Sequence, residues 1–254
     1  MKSSSEETSW ETSSDWYKKA VGEKGHYYHQ ALIIPNLLKM LQLEKTSSVL
    51  DLACGQGVLE RAIPKECSYY GVDISPSLIK EADKKKLSRE HTFLCQDASK
   101  PLPIKGREFT HAAIILALQN ILDPGSVIKN ASRHLSEKGS FILILNHPCF
   151  RIPRQSSWGV DLQNKKQYRR IDSYMSELSI PITTNPGKSN SPNTLSFHRP
   201  LSHYISLLSK NGFLIKEIEE WCSDKKSEGR SAKMEDRARK EIPLFIAIHA
   251  IKVS

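Results

Sequence analysis

The stretch Val49-Leu50-Asp51-Leu52-Ala53-Cys54-Gly55-Gln56-Gly57 decides the fold. An apolar run from Ser48 to Leu52, interrupted only by Asp51, enters a glycine-rich turn, and a helix-compatible segment follows from Val58 to Ile63. Glycines there let the chain turn tightly and let a ligand approach the backbone and a helix N-terminus. Strand, turn and helix then recur. Tyr69 to Ile74 reads as a second strand carrying Asp73 near its end, and Ser75-Pro76 starts a helix over Ser77 to Lys86. Thr92 to Cys95 is a third strand leading into Asp97, and His111 to Leu118 a fourth. A helix from Pro124 to Leu135, a turn at Lys138-Gly139 and a fifth strand from Ser140 to Leu145 complete the series. Strands alternating with helices at this spacing predict an α/β fold, with a mostly parallel sheet, right-handed crossovers and helices on both faces.

Upstream, Trp16 to Leu43 reads as helical, broken near Gly22 to Gly25, with Leu32, Ile33, Leu37, Leu38 and Leu41 at helical spacing and Pro35 starting or kinking a helix. Residues 15–45 are therefore expected to form a helical lid, and the Ser/Thr/Glu-rich residues 1–14 a disordered polar tail. Downstream, the rhythm stops at Asn146. Residues 148–197 hold five prolines among Ser, Asn and Gly, without a clear period, and read as a cap insertion after the fifth strand. Arg199 to Lys210 resumes as a helix ended by Gly212. Phe213 to Cys222 and Leu244 to Lys252 are the last strands, with a solvated helix or loop, Asp224 to Lys240, between them.

A chain of 254 residues with 39% hydrophobic residues suits one sizeable domain, here 15–254. No apolar run approaches the roughly 18 residues of a membrane span, and the first residues lack a hydrophobic signal core, so a cytoplasmic location is expected. Five cysteines without a C-x-x-C pair argue against a disulfide framework and against a zinc site; reduced, mostly buried thiols and no metal are expected. The net charge of +9 is C-terminal: 19 basic and 17 acidic residues lie up to position 147, 18 and 11 after it. Such a bias suits an anionic small molecule, nucleic acid or plain solubility.

Asp51, Asp73 and Asp97 sharpen the ligand class. An acid at the end of the second strand suits hydrogen bonding to a ribose diol, as in nicotinamide sites. The dinucleotide fingerprint G-x-G-x-x-G/A, however, has Glu60 at its third small position, where tight packing and a pyrophosphate would both disfavour it. A reading without ligand, in which glycines only turn the chain and acids only cap helices, also stands.

The ordered segments Leu-Asp-Leu-Ala-Cys-Gly-x-Gly, Tyr-Gly-Val-Asp-Ile-Ser, Gln-Asp-Ala, and Phe-Thr-His followed by an apolar run and Leu-Gln-Asn-Ile-Leu-Asp-Pro resemble motifs one to four of the class I S-adenosylmethionine-dependent methyltransferases, over about residues 48–145. Within that family they are similar to the small-molecule group that includes quinone-biosynthesis-type enzymes. The resemblance implies a Rossmann-like, seven-stranded sheet with its last strand antiparallel. It also implies S-adenosyl-L-methionine as cofactor: Ala53, Gly55, Gln56 and Gly57 along its methionine part, Asp73 on the ribose with Ile74 against adenine, and Asp97 with Ala98 at the adenine edge. Asp51 would hold the glycine loop or meet the cofactor amine, and Leu116 would join the cofactor site. Gln119 stands where many relatives have a histidine pair; an amide cannot act as a base, so it would orient a ligand.

Ligands of open α/β sheets bind at the carboxyl ends of the strands. His147, after the fifth strand, is therefore the first candidate base, against the alternative of a histidine satisfied by a backbone carbonyl. His29 joins it from the lid, where Tyr28 is a candidate substrate contact or a staple to the sheet. Phe150, Arg151, Trp158, His198 and Arg199 are the further candidate substrate residues. Residues 148–199 hold eight basic and three acidic residues interleaved with aromatics, which suits a cap over a small anionic or aromatic acceptor. The expected activity is methyl transfer to an O or C atom of such a metabolite. RNA methylation, with aromatic faces stacking on bases, is the alternative, and a non-catalytic cofactor-binding module the third reading. Oligomeric state is left open.

Overall fold

The structure, a computed structural model, describes residues 10–11, 14–22, 25–106, 108–183 and 193–253. Helices are α1 Ser14–Val21, α2 Ile34–Leu41, α3 Pro76–Lys85, α4 Pro124–His134, α5 Leu201–Lys210 and α6 Ala232–Glu241. Strands are β1 Ser48–Leu52, β2 Ser68–Asp73, β3 Thr92–Cys95, β4 Phe109–Ile115, β5 Leu135–Asn146, β6 Ser156–Asp161, β7 Lys166–Ile171, β8 Leu178–Thr183, β9 Asn193–His198, β10 Phe213–Trp221 and β11 Phe245–Lys252.

Seven strands form one sheet in the order β10-β11-β5-β4-β1-β2-β3. β1 pairs in parallel with β2 and β4, β2 with β3 and β4 with β5, whereas β11 runs antiparallel to both β5 and β10. This is the Rossmann-like arrangement the resemblance implied. The strand order reverses direction between β1 and β4, so their carboxyl ends diverge and leave a crevice. Two apolar clusters lie on the two faces: one joins Leu50, Ile114 and Leu143 to Val127 of α4 and Tyr204 of α5, the other joins Val49 and Ile142 to Ile33, Leu37 and Leu41. Both faces of the central strands are buried, which is why they read as unbroken apolar runs.

Helix starts follow local chemistry. The Ser75 hydroxyl accepts from Leu78 N–H at 3.2 Å ahead of Pro76, and Asp123 accepts from Ser126 N–H at 3.0 Å ahead of Pro124. Such caps contribute about 1 kcal/mol each. Four sequence expectations need correction. Residues 58–63 form only a 3₁₀ turn, Glu60–Ala62, cut off before Pro64. Of the stretch read as a tail, Trp10 and Glu11 pack against the body and Ser14 opens α1; residues 1–9 and 12–13 lie outside the described residues. The insertion is built from two antiparallel hairpins, β6–β7 and β8–β9, although residues 184–192 lie outside the described residues. All five cysteines are free, but only Cys67 is buried and Cys95 is exposed. Among the described residues no helix is long and apolar enough to cross a membrane, and no cluster of His, Cys, Asp and Glu is placed to hold a metal.

Candidate functional site

A cavity of about 600 Å³ opens at the carboxyl ends of β1 to β5. The turn after β1 forms one wall. Ala53 and, after β4, Leu116 take left-handed backbone conformations, φ +56° and +52°, and both line the cavity. Non-glycine residues there cost on the order of 1–3 kcal/mol, so the surrounding sheet must hold them in place. Gly57, at φ +77°, holds a conformation that strains any side chain, and a Cβ there would press on the Phe93 ring at 3.1 Å. It packs the turn and does not line the cavity.

The acids divide by role. Asp73 lines the cavity, and its two oxygens accept from Gly55 N–H at 2.8 Å and Ser75 N–H at 2.9 Å, fixing the carboxylate. Burial pushes its pKa up; those N–H groups oppose the rise and Glu11 adds to it. Asp97 accepts from Ser99 N–H and Oγ–H through Oδ1, at 2.8 and 2.7 Å, while its buried Oδ2 has no partner. Asp51 does not reach the cavity. It accepts from the Tyr69 hydroxyl at 2.6 Å, and burial, opposed by that bond and aided by Asp73, raises its pKa to about 7. Gln56 also turns away, donating to the Gly22 carbonyl and so tying the glycine turn to the lid.

The segment before β1 forms a further wall of the cavity. Tyr17 lies over Gly55, and Trp10, whose ring stands 5.6 Å from that of Tyr17, lines the cavity with Trp16. Burial and Asp73 push the Tyr17 hydroxyl pKa up. These aromatics were missed in the sequence, although Trp10, Trp16 and Tyr17 in an otherwise polar segment were the available signal. Tyr28 and His29 line the cavity too. The His29 ring lies 4.1 Å from that of His26, and burial, with His26 adding, lowers its pKa to about 3. Its Nδ1 is buried without a partner. Gln119 donates to Leu116 O at 2.8 Å, leaving its buried Oε1 unpaired.

His147 is placed elsewhere. It is buried, its Nε2 bonds to Glu220 at 2.6 Å and its Nδ1 accepts from Cys149 N–H at 3.2 Å, so both ring nitrogens are used outside the cavity. Burial lowers its pKa and Glu220 opposes the shift. Phe150 packs on that imidazole, 4.7 Å between centroids, and Trp158 lies under Arg169 at 5.3 Å. Of the six candidate substrate residues, Tyr28 and Arg151 line the main cavity, whereas His198 and Arg199 line a second one beside it. Ile74, Ala98, Gly55 and Ala53 are gathered with Asp73 and Asp97; Asn146 at the end of β5 joins them, as do Ile115 and Ser196, which no sequence pattern singled out.

Buried polar atoms are normally paired. Here the unpaired Asp97 Oδ2, Gln119 Oε1 and His29 Nδ1 all belong to residues lining one cavity, the pattern expected where a polar ligand completes the bonding. Glu60 lies outside this cavity and is fully buried; its Oε1 accepts from Leu87 N–H at 2.7 Å beside His91 at 2.6 Å, while its Oε2 is also unpaired, and a buried carboxylate leaves no place for a dinucleotide pyrophosphate at that turn.

Comparison with known proteins agrees with this geometry. Residues 50–143 match the family model described as "Methyltransferase domain". The chain is 27% identical over 112 residues to the demethylmenaquinone methyltransferase of Staphylococcus carnosus, covering 42% of this chain and 46% of that protein. It is 29% identical over 103 residues to the 18S rRNA (guanine(1575)-N(7))-methyltransferase of Saccharomyces cerevisiae, covering 40% and 37%. The matches thus span less than half the length of these curated relatives. A solved S-adenosylmethionine-dependent methyltransferase from Mesorhizobium loti is 25% identical and superposes with a TM-score of 0.67, over 86% of this chain and 96% of that one. Residues 50–143 thus carry a methyltransferase domain, and the sheet order, the motif-bearing turn and these similarities together support a class I S-adenosylmethionine-dependent methyltransferase.

Proposed function

We propose that the protein transfers a methyl group to an oxygen or carbon atom of a small acceptor whose proton is already acidic, such as a phenol or an enol. The observation that carries this reading is the cavity with its three unpaired polar atoms, one on Asp97 and two, on His29 and Gln119, that belong to elements other than the β3 end carrying Asp97. When bound, the cofactor supplies a methyl group on a positively charged sulfur. Asp73 would hold the ribose diol through its remaining lone pairs, Asp97 Oδ2 the adenine amine, and Ile74 the adenine face. Ala53, Gly55 and Leu116 would line the methionine side.

Alignment and exclusion of water supply much of the acceleration in such a displacement. Tyr17, Tyr28 and Trp10 exclude water on the lid side, and Ile182 and Ser196 of the β8–β9 hairpin do so on the cap side. His29, neutral at pH 7, is a poor proton store and a good hydrogen-bond acceptor, which is why an acidic acceptor suits the site. Arg151 at the cavity stabilises negative charge on it.

Incubation with methyl-labelled cofactor and fractionated extract tests the reading: label is expected in small acidic aromatic or enolic molecules. Label confined to RNA or protein, or absent throughout, would reject it. The second reading, RNA methylation, is favoured by the name of the yeast relative and by the basic β6–β7 hairpin with Lys165, Lys166, Arg169 and Arg170. It predicts tight RNA binding with a steep salt dependence.

A further inference from the structure

The β8–β9 hairpin is a wall with a cavity on each side. Successive strand residues face opposite ways, so in β9 Ser196 lines the main cavity while Leu195 and Phe197 line a second one of about 400 Å³, which Leu178 at the start of β8 also borders; Ile182 lines the main cavity. Arg199 lines this second cavity and is only 6% exposed. Its Nη2 donates to the carbonyls of Ile121 at 3.3 Å and Leu122 at 2.8 Å, and its guanidinium carbon lies 5.0 Å from the centroid of the Phe197 ring. Nη1 is buried without a partner at hydrogen-bonding geometry, the neutral Tyr204 hydroxyl is the polar side chain interacting with the guanidinium, and no carboxylate among the described residues forms an ion pair with Arg199. Glu177, at the rim, is exposed and bonds to His203 at 3.0 Å.

A buried charge without a counter-ion is costly, and a guanidinium recognises carboxylates through paired N–H donors. We propose that this second cavity binds an apolar monocarboxylate, its carboxylate on Arg199 Nη1 and its hydrocarbon body against Leu178, Leu195 and Phe197. The site is separate from the methyl-transfer cavity and does not depend on that reading. Leu122 borders both cavities, so an occupant adjoins the loop after β4 that carries Gln119.

Titration calorimetry of the full chain with octanoate tests this. Wild type is expected to bind, and Arg199→Gln to weaken binding about tenfold or more, as loss of a charge-assisted bond does. Leu195→Trp keeps the arginine and fills the cavity, and should weaken octanoate to the same degree; octanamide should bind wild type at least about tenfold more weakly than octanoate. Saturating S-adenosylhomocysteine should leave octanoate affinity unchanged. No octanoate binding at millimolar concentration, binding indifferent to Leu195→Trp, equal affinity for octanamide, or competition with S-adenosylhomocysteine would each overturn the proposal.

Discussion

At the scale of the residue, the site depends on side chains whose roles follow from what they lack. Asp97 keeps one oxygen for a ligand while Ser99 occupies the other. Replacing it with Ala or Asn should therefore lower affinity for S-adenosylhomocysteine about tenfold or more, with Asn hurting by presenting a donor to a donor. Calorimetry giving equal affinities would remove Asp97 from the cofactor site. Gly25 is needed for His29: at φ +91° a Cβ would come within 2.3 Å of the His29 Cβ, so Gly25→Ala should destabilise by about 1–3 kcal/mol in urea unfolding. An unchanged midpoint would show that the lid is not held this way. On β11, between β10 and β5, burial, with Lys216 and His111 adding, lowers the pKa of His249 to about 4 while its Nε2 meets the Ser140 hydroxyl at 2.7 Å. A histidine depressed on folding stabilises above its unfolded pKa near 6.5, and that stability is lost as pH falls toward 4. The Tm of His249→Gln minus that of wild type should accordingly become more positive from pH 7 to pH 4, and a flat difference would refute the shift. Legibility at this scale was uneven. Asp73 and Asp97 could be placed because a motif fixes both their strand and their end of it. His147 could not, since its partner Glu220 is 73 residues away on β10 and no local pattern announces that contact.

At the scale of the element, the sheet was readable because strands buried on both faces are continuous apolar runs, as in β4 and β5. The cap hairpins were not. In β7, Lys166–Ile171, burial alternates between half-buried and exposed, yet the half-buried positions are Gln167, Arg169 and Ile171, so polarity conceals the period of two. The glycine turn misled in the other direction, for residues 58–63 carry helix-forming residues but Pro64 allows only a single 3₁₀ turn. The N-terminal segment makes a testable element. Glu11 bonds to the Ser75 and Ser77 hydroxyls and, at 3.2 Å, to Ser77 N–H, pinning Trp10 beside the cavity at the start of α3. Loss of such bonds costs about 1 kcal/mol each. Glu11→Ala and Trp10→Ala should each weaken cofactor binding several-fold and speed its release in stopped-flow measurements. If both variants release cofactor at the wild-type rate, the segment is not a lid.

At the scale of the whole molecule, the cavity sits where otherwise separate parts meet: the glycine turn of the sheet, the lid before β1, and the cap between β5 and α5. A ligand there makes its contacts only when all three are folded together, so its binding energy becomes folding energy. Ligand at a hundred times its Kd stabilises by about 2.7 kcal/mol, which for a domain of this size corresponds to a Tm rise of roughly 5–10 °C. S-adenosylhomocysteine is expected to raise the Tm by that amount in the intact chain. The rise should disappear in Asp73→Ala/Asp97→Ala, because the variant loses the two acids proposed to hold the cofactor while the apolar clusters on the two sheet faces remain. Adding S-adenosylhomocysteine to that double variant and measuring the same rise would show that the molecule is stabilised from a different site, and the cavity would then have to be reassigned.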